Sequence, residues 1–435
     1  MYELLKGKTL ASLTLGCKVN MYDTQAMVEI LVNHGCRIVE FEEKADIYLI
    51  NTCTVTNFGD KKSRQILRKA HRLNPNAVIV ACGCYSQVEP EKVAAIEGIS
   101  IILGTQDRIR IGEFICQYLE GRKSADFVSN ISSQREFEDL SINTQRDKTR
   151  AYLKIQEGCD RFCTYCIIPF ARGPVRSRQP ENVIAEAARL SENGFKEIVL
   201  TGIHVASYGK DIKNTNLCDI LKQISKIDKI QRIRFSSIEP NVVNDEFLDT
   251  ISSLPKICDH FHLSLQSGCD KTLQAMNRHY TAFEYLKSVN RLRSIMPQAG
   301  ITTDIIVGFP GESDEDFHES LEFVKKAQLS RIHVFPYSAK TGTKAAVMLN
   351  QVPPKIKEER AKIMGEAGEK LTQTFAEKHI GKDLSVLFEK KIGDKTYEGH
   401  STNYITVRQN SPFSLENELT VLRATHCENG ILYTS

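Results

Sequence analysis

Over the first hundred residues, short apolar runs alternate with stretches whose apolar residues recur at helical spacing. Residues 9–15, 45–51, 77–82 and 99–104 read as strands, and 21–34, 58–73 and 90–97 as helices. Strands alternating with helices predict a parallel α/β sheet. Residues 120–149 turn polar and lose periodicity, as a linker or irregular connection does. From 151 the alternation resumes. Strands are expected over 151–157, 196–202, 232–238, 260–266, 301–309 and 331–337, with helices such as 181–193, 283–295 and 314–327 between them. Six βα units predict a partial barrel, since a full one has eight strands. After VPPK (352–355) comes a helix over 356–379. Short runs separated by turn residues then suggest a small β-barrel. The fold expected is α/β throughout the first two parts: a parallel α/β domain over 1–120, a linker over 121–149, a partial (βα)6 barrel over 150–375 and a β-barrel over 376–435.

Composition narrows the class. With 41% hydrophobic and 26% charged residues the chain is ordinary for a globular protein. No apolar run reaches the ~18 residues of a membrane span, and the first twenty residues lack the pattern of a secretory leader. The cytoplasm is the expected location, with no membrane partner. A net charge of +3 makes no case for nucleic acid, so any basic surface must be local. Thirteen cysteines, an odd number without a leader, argue against a disulfide framework and for metal or catalysis.

Three of those cysteines lie in EGCDRFCTYC, at C-x-x-x-C-x-x-C spacing directly after a predicted strand. Loops after barrel strands form the active face. The thiolates of Cys159, Cys163 and Cys166 suffice to hold three irons of a 4Fe-4S cube, leaving the fourth iron open to substrate. A zinc site is the plainer alternative, but it needs a fourth ligand and no His or Cys follows within a few residues. The segment resembles the radical S-adenosylmethionine superfamily over about residues 150–345. That resemblance implies that S-adenosylmethionine chelates the open iron and is cleaved by one electron to a 5′-deoxyadenosyl radical. It also implies cofactor contacts from Tyr165 between the last two cysteines, from Thr201 and Gly202 at the second strand's end, and from Glu239, Gln266 and Arg278 at or beyond later strand ends. Backbone around Phe335 and Tyr337 would face adenine.

Cys17, Cys53 and Cys84 each follow an apolar strand of the first domain. The carboxyl ends of parallel strands line one edge of a sheet, where ligands bind, so these three are expected to converge on a second cluster. The alternative is three ordinary buried cysteines. Cys82 competes with Cys84 but lies inside its apolar run. Cys36, Cys116, Cys218, Cys258, Cys269 and Cys427 show no paired spacing and read as structural.

Taken together, TLGCKVN, NTCTVT, GCYSQ, EGCDRFCTYC and FPYSAKTGT resemble the methylthiotransferases from about residue 8 to the C-terminus. In that family a cluster domain, a radical S-adenosylmethionine domain and a C-terminal TRAM barrel follow one another. GCKVN is most similar to the MtaB branch. The resemblance implies two 4Fe-4S clusters and two molecules of S-adenosylmethionine per turnover, one methylating a sulfur at the first domain's cluster and one giving the radical. The implied product is the 2-methylthio derivative of N6-threonylcarbamoyladenosine at position 37 of a tRNA anticodon stem-loop. An external electron donor and a monomeric chain are expected. The rival readings are an isopentenyladenosine enzyme of the MiaB kind, a ribosomal-protein enzyme of the RimO kind, and a metal-stabilised RNA-binding protein without catalysis.

Two basic stretches are candidates for RNA. In 59–74, Lys61, Lys62, Arg64, Arg68, Lys69 and Arg72 face only Asp60, and such a surplus can track phosphates. Arg172, Arg176 and Arg178 follow the cluster loop and are candidates for the substrate's carboxylate. The last sixty residues hold seven Lys and Arg against eight Asp and Glu, so phosphate tracking there requires Lys390, Lys391, Lys395 and Arg408 to share a face.

Overall fold

In a computed structural model, described over residues 2–121, 125–144 and 149–434, the chain builds three bodies. The first is a six-stranded, all-parallel sheet of β1 (Thr9–Thr14), β2 (Arg37–Ile38), β3 (Ile47–Thr52), β4 (Val78–Gly83), β5 (Ile101–Leu103) and β6 (Ala125–Phe127), ordered β2-β1-β3-β4-β5-β6. Every residue of β3 and β4 is buried, as central strands covered on both faces require. Alternate residues serve opposite faces. Leu49 and Val80 pack with Met27, Leu31 and Phe114, whereas Tyr48, Ile50 and Ile79 pack with Ile66 and Leu67.

β6 falls inside the stretch expected to be a linker, and so do Leu140 and Ile142, which are buried in the core of the second body. The connection is thus partly built into both bodies. Residues 122–124 and 145–148 of the expected linker lie outside the described residues.

The second body contains β7 (Arg150–Glu157), β8 (Arg176–Ser177), β9 (Glu197–Gly202), β10 (Arg232–Phe235), β11 (Ser237–Ile238), β12 (His260–Leu263), β13 (Gly300–Val307) and β14 (Arg331–Pro336). Two four-stranded sheets, β10-β9-β7-β8 and β11-β12-β13-β14, meet where β10 and β11 are separated only by Ser236. All neighbours are parallel except the short β8 on β7. Counting β10 and β11 as one strand, six parallel strands form an open half barrel. Its helices start where capping boxes predict: Asn216 with Asp219, Thr281 with Glu284, and Ser313 with Asp316.

The helix Pro354–Glu377 leads to a closed barrel of β15 (Asp383–Lys391), β16 (Thr396–Ser401), β17 (Thr406–Asn410), β18 (Leu419–Glu428) and β19 (Ile431–Thr434). This barrel caps the lower end of the half barrel. Arg232 donates to the Ser385 carbonyl at 2.5 Å and Arg234 to the Thr402 carbonyl at 2.9 Å. Both arginines are buried and share Glu197, with Arg234 Nε at 2.7 Å. Tyr404 wedges between the bodies, its ring stacked on His260 and His400. Among the described residues, no helix is long and apolar enough to cross a membrane.

Glu197 is the carboxylate on which this junction turns. Burial pushes its carboxyl up, but Arg234, Arg150 and Arg232 outweigh that and bring it down to about 2. A depressed carboxyl stabilises the fold fully above its unfolded pKa and loses that contribution as pH falls toward the folded value. Glu197→Gln strands buried guanidinium charge and is expected to cost about 3–5 kcal/mol at neutral pH. In thermal unfolding scans, the gap between wild type and variant should close as pH falls from about 5 toward about 2.

Candidate active site

The loop 159–166 leaves the top of β7 and is laced to its surroundings by backbone. Cys159 N donates to Gly173 O at 3.0 Å, Thr164 N to Met276 O at 3.0 Å, and Ala345 N to Thr164 O at 2.8 Å. Gly158, at φ +75°, makes the turn possible: a Cβ there would stand 1.8 Å from the Pro174 carbonyl oxygen. Cys163 is buried, and Cys159 and Cys166 are half-buried. Burial pushes Cys159 up to about 11 and Cys166 up to about 12, and the charge of Cys163 adds to both. Cys159 and Cys166 therefore hold protons that a bound metal must displace.

Around them lie the residues expected to hold S-adenosylmethionine. Arg278 donates Nη1 to Cys163 Sγ at 3.2 Å and pairs through Nη2 with Glu239 at 2.9 Å. Glu239 also meets Arg161 at 2.7 Å and His204 at 3.1 Å. Burial raises the Glu239 carboxyl, but a hydrogen bond from His204 and the charges of Arg278, His204 and Arg161 bring it down to about 2. Even so, Glu239 Oε2, Arg278 Nη2 and His204 Nε2 are buried without a hydrogen bond of good geometry. Such atoms fit a polar ligand, which the amino acid and ribose ends of S-adenosylmethionine would supply.

Tyr165 packs with Met276, Phe309 and Tyr337. Thr201 and Gly202 end β9. The Thr201 hydroxyl is turned back on Val199 O at 3.1 Å, and Gly202 lies against Gln156. Gln266, at φ +71°, bonds through its backbone to Asp304 and Ile306 of β13. Phe335 is exposed and Tyr337 buried at the end of β14. Sequence reasoning misses Arg161 and His204. His204 stands two residues beyond Gly202, and no spacing rule marks it.

The second group of cysteines comes together at the carboxyl edge of the first sheet. Cys17 caps the helix Lys18–Asn33, Cys84 opens the short helix Cys84–Val88, and Cys53 follows β3. A Cβ on Gly16 would stand 3.1 Å from Cys53 Sγ, and Cys84 feels the charges of both Cys17 and Cys53. Asn20 ties the loops, donating to Leu15 O at 2.7 Å and Thr52 O at 3.1 Å. Cys82 is fully buried in the core and bonds Ile50 O. Among the described residues, no three His, Cys, Asp or Glu side chains are close enough to ligate one metal ion. A cube, by contrast, offers its three irons to thiolates that stand farther apart.

The two cysteine groups are joined through Arg172. Its Nε donates to Cys84 Sγ at 3.2 Å, Nη2 bonds Asn20, and Nη1 reaches Asp23 and Glu157 at 2.9 Å each. Arg108 and Lys154 bind the same two carboxylates, and Glu138 takes Arg108 Nε at 2.8 Å. This overturns the expectation that Arg172, Arg176 and Arg178 meet the substrate. All three are buried and engaged, Arg176 with Arg172 O and Gln106, Arg178 with Glu186 and Asp139. A guanidinium taken out of water needs fixed partners; for Arg172 and Arg178 they are carboxylates of the protein, and for Arg176 they are a backbone carbonyl and the Gln106 side chain.

The basic helix Asn57–Leu73 begins four residues beyond Cys53 and exposes Lys61, Lys62, Arg68 and Arg72. Its other two cations are engaged, Lys69 with Glu42 and Arg64 with Tyr85. On the C-terminal barrel, Lys390, Glu398 and Arg408 are cross-strand neighbours, and Glu398 pairs with both cations and offsets part of their charge.

Comparison with known proteins adds identity to this geometry. The Radical SAM superfamily model matches residues 153–324, and that of Uncharacterized protein family UPF0004 matches 9–104. The chain is 44% identical to threonylcarbamoyladenosine tRNA methylthiotransferase MtaB of Bacillus subtilis, covering 92% of this chain and 90% of that one. It is 42% identical to the protein of that name from Aquifex aeolicus, over 86% and 91%. It is 34% identical to tRNA-2-methylthio-N(6)-dimethylallyladenosine synthase of Alkaliphilus oremlandii, over 98% and 92%. In fold it is similar to the radical S-adenosylmethionine methyltransferase TsrM of Kitasatospora setae, solved with cobalamin and a [4Fe-4S] cluster. The TM-score is 0.55 at 13% identity, covering 75% of this chain and 72% of that one.

Arg172→Lys keeps the charge but cannot reach Cys84, Asn20, Asp23 and Glu157 at once. Hydrogen–deuterium exchange should then rise in both 17–23 and 154–172, the two sides of the seam, while β15–β19 stay protected. Unchanged exchange at the seam would show that Arg172 does not hold it.

Proposed function

The chain belongs to the radical S-adenosylmethionine methylthiotransferases, and from that footing we propose that it installs a methylthio group at C2 of N6-threonylcarbamoyladenosine 37 in tRNA. The observation that carries this reading is the set of relatives named MtaB at 36–44% identity over most of the chain. Cys159, Cys163 and Cys166 are the proposed ligands of the radical-generating cluster, and Cys17, Cys53 and Cys84 those of a second. When bound, the first cluster supplies the electron that cleaves S-adenosylmethionine, and the second carries the sulfur to be methylated.

This chain's own residues do the positioning. Arg278 and Arg172 each direct a guanidinium N–H at one thiolate of a cluster site, which favours the anionic sulfur a metal needs. Glu239, held ionised by Arg278, Arg161 and a hydrogen bond from His204, would accept hydrogen bonds from the bound cofactor. Segments beside the two cysteine groups, at the ends of strands of the first and second bodies, are in contact. Asn57 Nδ2 donates to Ala339 O at 3.0 Å, Lys340 pairs with Asp60 at 2.5 Å, and Thr105 donates to Ala171 O at 2.6 Å. An adenine placed between the groups must leave the anticodon-loop stack, as bases acted on by enzymes commonly do. The exposed cations of the helix Asn57–Leu73 stand beside that seam and are the proposed phosphate contacts.

Two measurements test this. Mass spectrometry of nucleosides from total tRNA of cells lacking the gene should show loss of 2-methylthio-N6-threonylcarbamoyladenosine and a rise of its unmethylthiolated parent. Loss of the isopentenyl derivative instead would favour the dimethylallyladenosine enzymes among the relatives. Anaerobically reconstituted wild type should carry about eight irons per chain and Cys84→Ala about four; equal iron in both would refute a cluster on Cys17, Cys53 and Cys84.

A further inference from the structure

At the lower end of the half barrel Arg150, Arg232 and Arg234 share two acids. Arg150 binds Glu389 at 2.9 Å and lies 4.0 Å from Glu197, which also serves the other two arginines. Glu389 is further engaged by His400. The guanidinium carbons of Arg234 and Arg150 stand 4.8 and 5.3 Å from the centre of the Tyr404 ring. Burial raises the Tyr404 phenol, yet Arg150, Lys18 and Arg234 pull it below its usual value. A buried phenol drawn toward its anion marks a place where negative oxygen is welcome.

Lys18 is a cation there that forms no ion pair with any of the described residues, although Tyr404 and Glu197 lie near enough to act on its charge. It directly follows Cys17 and is half-buried. Its ammonium lies 6.0 Å from the centre of the Tyr152 ring, and its charge is felt by Tyr404, His260 and His333. Those residues come from β7, the C-terminal barrel, β12 and β14, so the ammonium projects into the open side of the half barrel. Asp304 faces His262 at 3.4 Å, and Glu197 faces the arginines. Among the described residues no carboxylate lies within ion-pair distance of Lys18. A half-buried ammonium without an ion-pair partner is costly unless a ligand supplies one. The candidates expected from the sequence, Arg172 and Arg176, are committed elsewhere.

We propose that Lys18 takes the carboxylate of the substrate's N6-threonylcarbamoyl group and thereby selects a charged substituent over an apolar one. The inference rests on the substrate assigned above. It makes Lys18 a specificity residue placed next to a proposed cluster ligand, so one loop would fix both the sulfur-bearing site and the substituent of the base to be modified.

The test is anaerobic fluorescence anisotropy with reconstituted enzyme and fluorescein-labelled anticodon stem-loops. Position 37 carries threonylcarbamoyladenosine, its threonine methyl ester, or isopentenyladenosine. Wild type should bind the acid roughly tenfold or more tighter than the ester, as a charge-assisted hydrogen bond allows. Lys18→Gln should bind acid and ester alike, at the wild-type affinity for the ester, and Lys18→Arg should keep most of the preference. Iron per chain, measured in parallel, must match wild type for a variant's binding to be compared. If Lys18→Gln loses iron, Lys18→Met, which also removes the charge, is read in its place by the same criterion. Acid and ester bound equally by wild type, or a preference intact in Lys18→Gln, overturns the proposal. A wild type that prefers the isopentenyl loop overturns the substrate reading itself, a separate outcome read from a different pair of probes.

Discussion

Asp23 and Glu157 sit at the centre of a buried ionic network, and each faces Arg108, Lys154 and Arg172. With Glu138 on Arg108, three cations meet three anions out of contact with water. Asp23 belongs to the first body and Lys154, Glu157 and Arg172 to the second. Burial alone would drive the carboxyls up, but the opposed charges keep both below their usual range. A balanced network of this kind gives little net stability compared with an apolar seam, and breaking it is expensive. What it supplies is geometry. Arg172 can reach Cys84 only because Asp23 and Glu157 hold its other nitrogens, so the relative placement of the two cysteine groups follows from a charge balance.

The same logic recurs at the other two levels of the half barrel. At the top, Glu239 gathers Arg161, His204 and Arg278, and Arg278 in turn donates to Cys163. At the bottom, Glu197 gathers Arg232 and Arg234, which reach on to carbonyls of the C-terminal barrel. In each case one carboxylate orients arginines whose remaining N–H groups act elsewhere. Arginine suits this because its planar fork bonds several partners in fixed directions. The C-terminal barrel contributes Tyr404 to the lower lumen. Its part in the molecule therefore includes closing the half barrel as well as presenting an outer surface.

The pattern of the chain was sufficient for the elements and for the cysteines. Parallel strands buried on both faces read as continuous apolar runs, which is why β3, β4 and β13 are visible from composition alone. Ligands at strand ends follow from parallel topology, so the grouping of Cys17, Cys53 and Cys84 is already legible in one dimension. Short polar stretches gave less: β6 is three residues long and lies in a segment without periodicity, and its pairing depends on the β5 edge being available.

What only the tertiary structure decided is which charges are surface and which are core. Arg172, Arg176 and Arg178 look like an exposed basic run, because a sequence shows their number and spacing but not which groups, among them Asp23, Glu157, Glu186, Asp139, Gln106 and the Arg172 carbonyl, enclose them in the fold. Lys18 shows the reverse. Beside Cys17 it reads as an ordinary helix-start lysine, and that it pairs with no carboxylate among the described residues emerges only once β7, β12, β14 and the C-terminal barrel close around it. Hydrophobic periodicity is a local property and survives along the chain. Compensation of charge is a property of neighbours in space, and these lie far apart in sequence, 149 residues for Arg172 and Asp23 and 280 for Lys340 and Asp60.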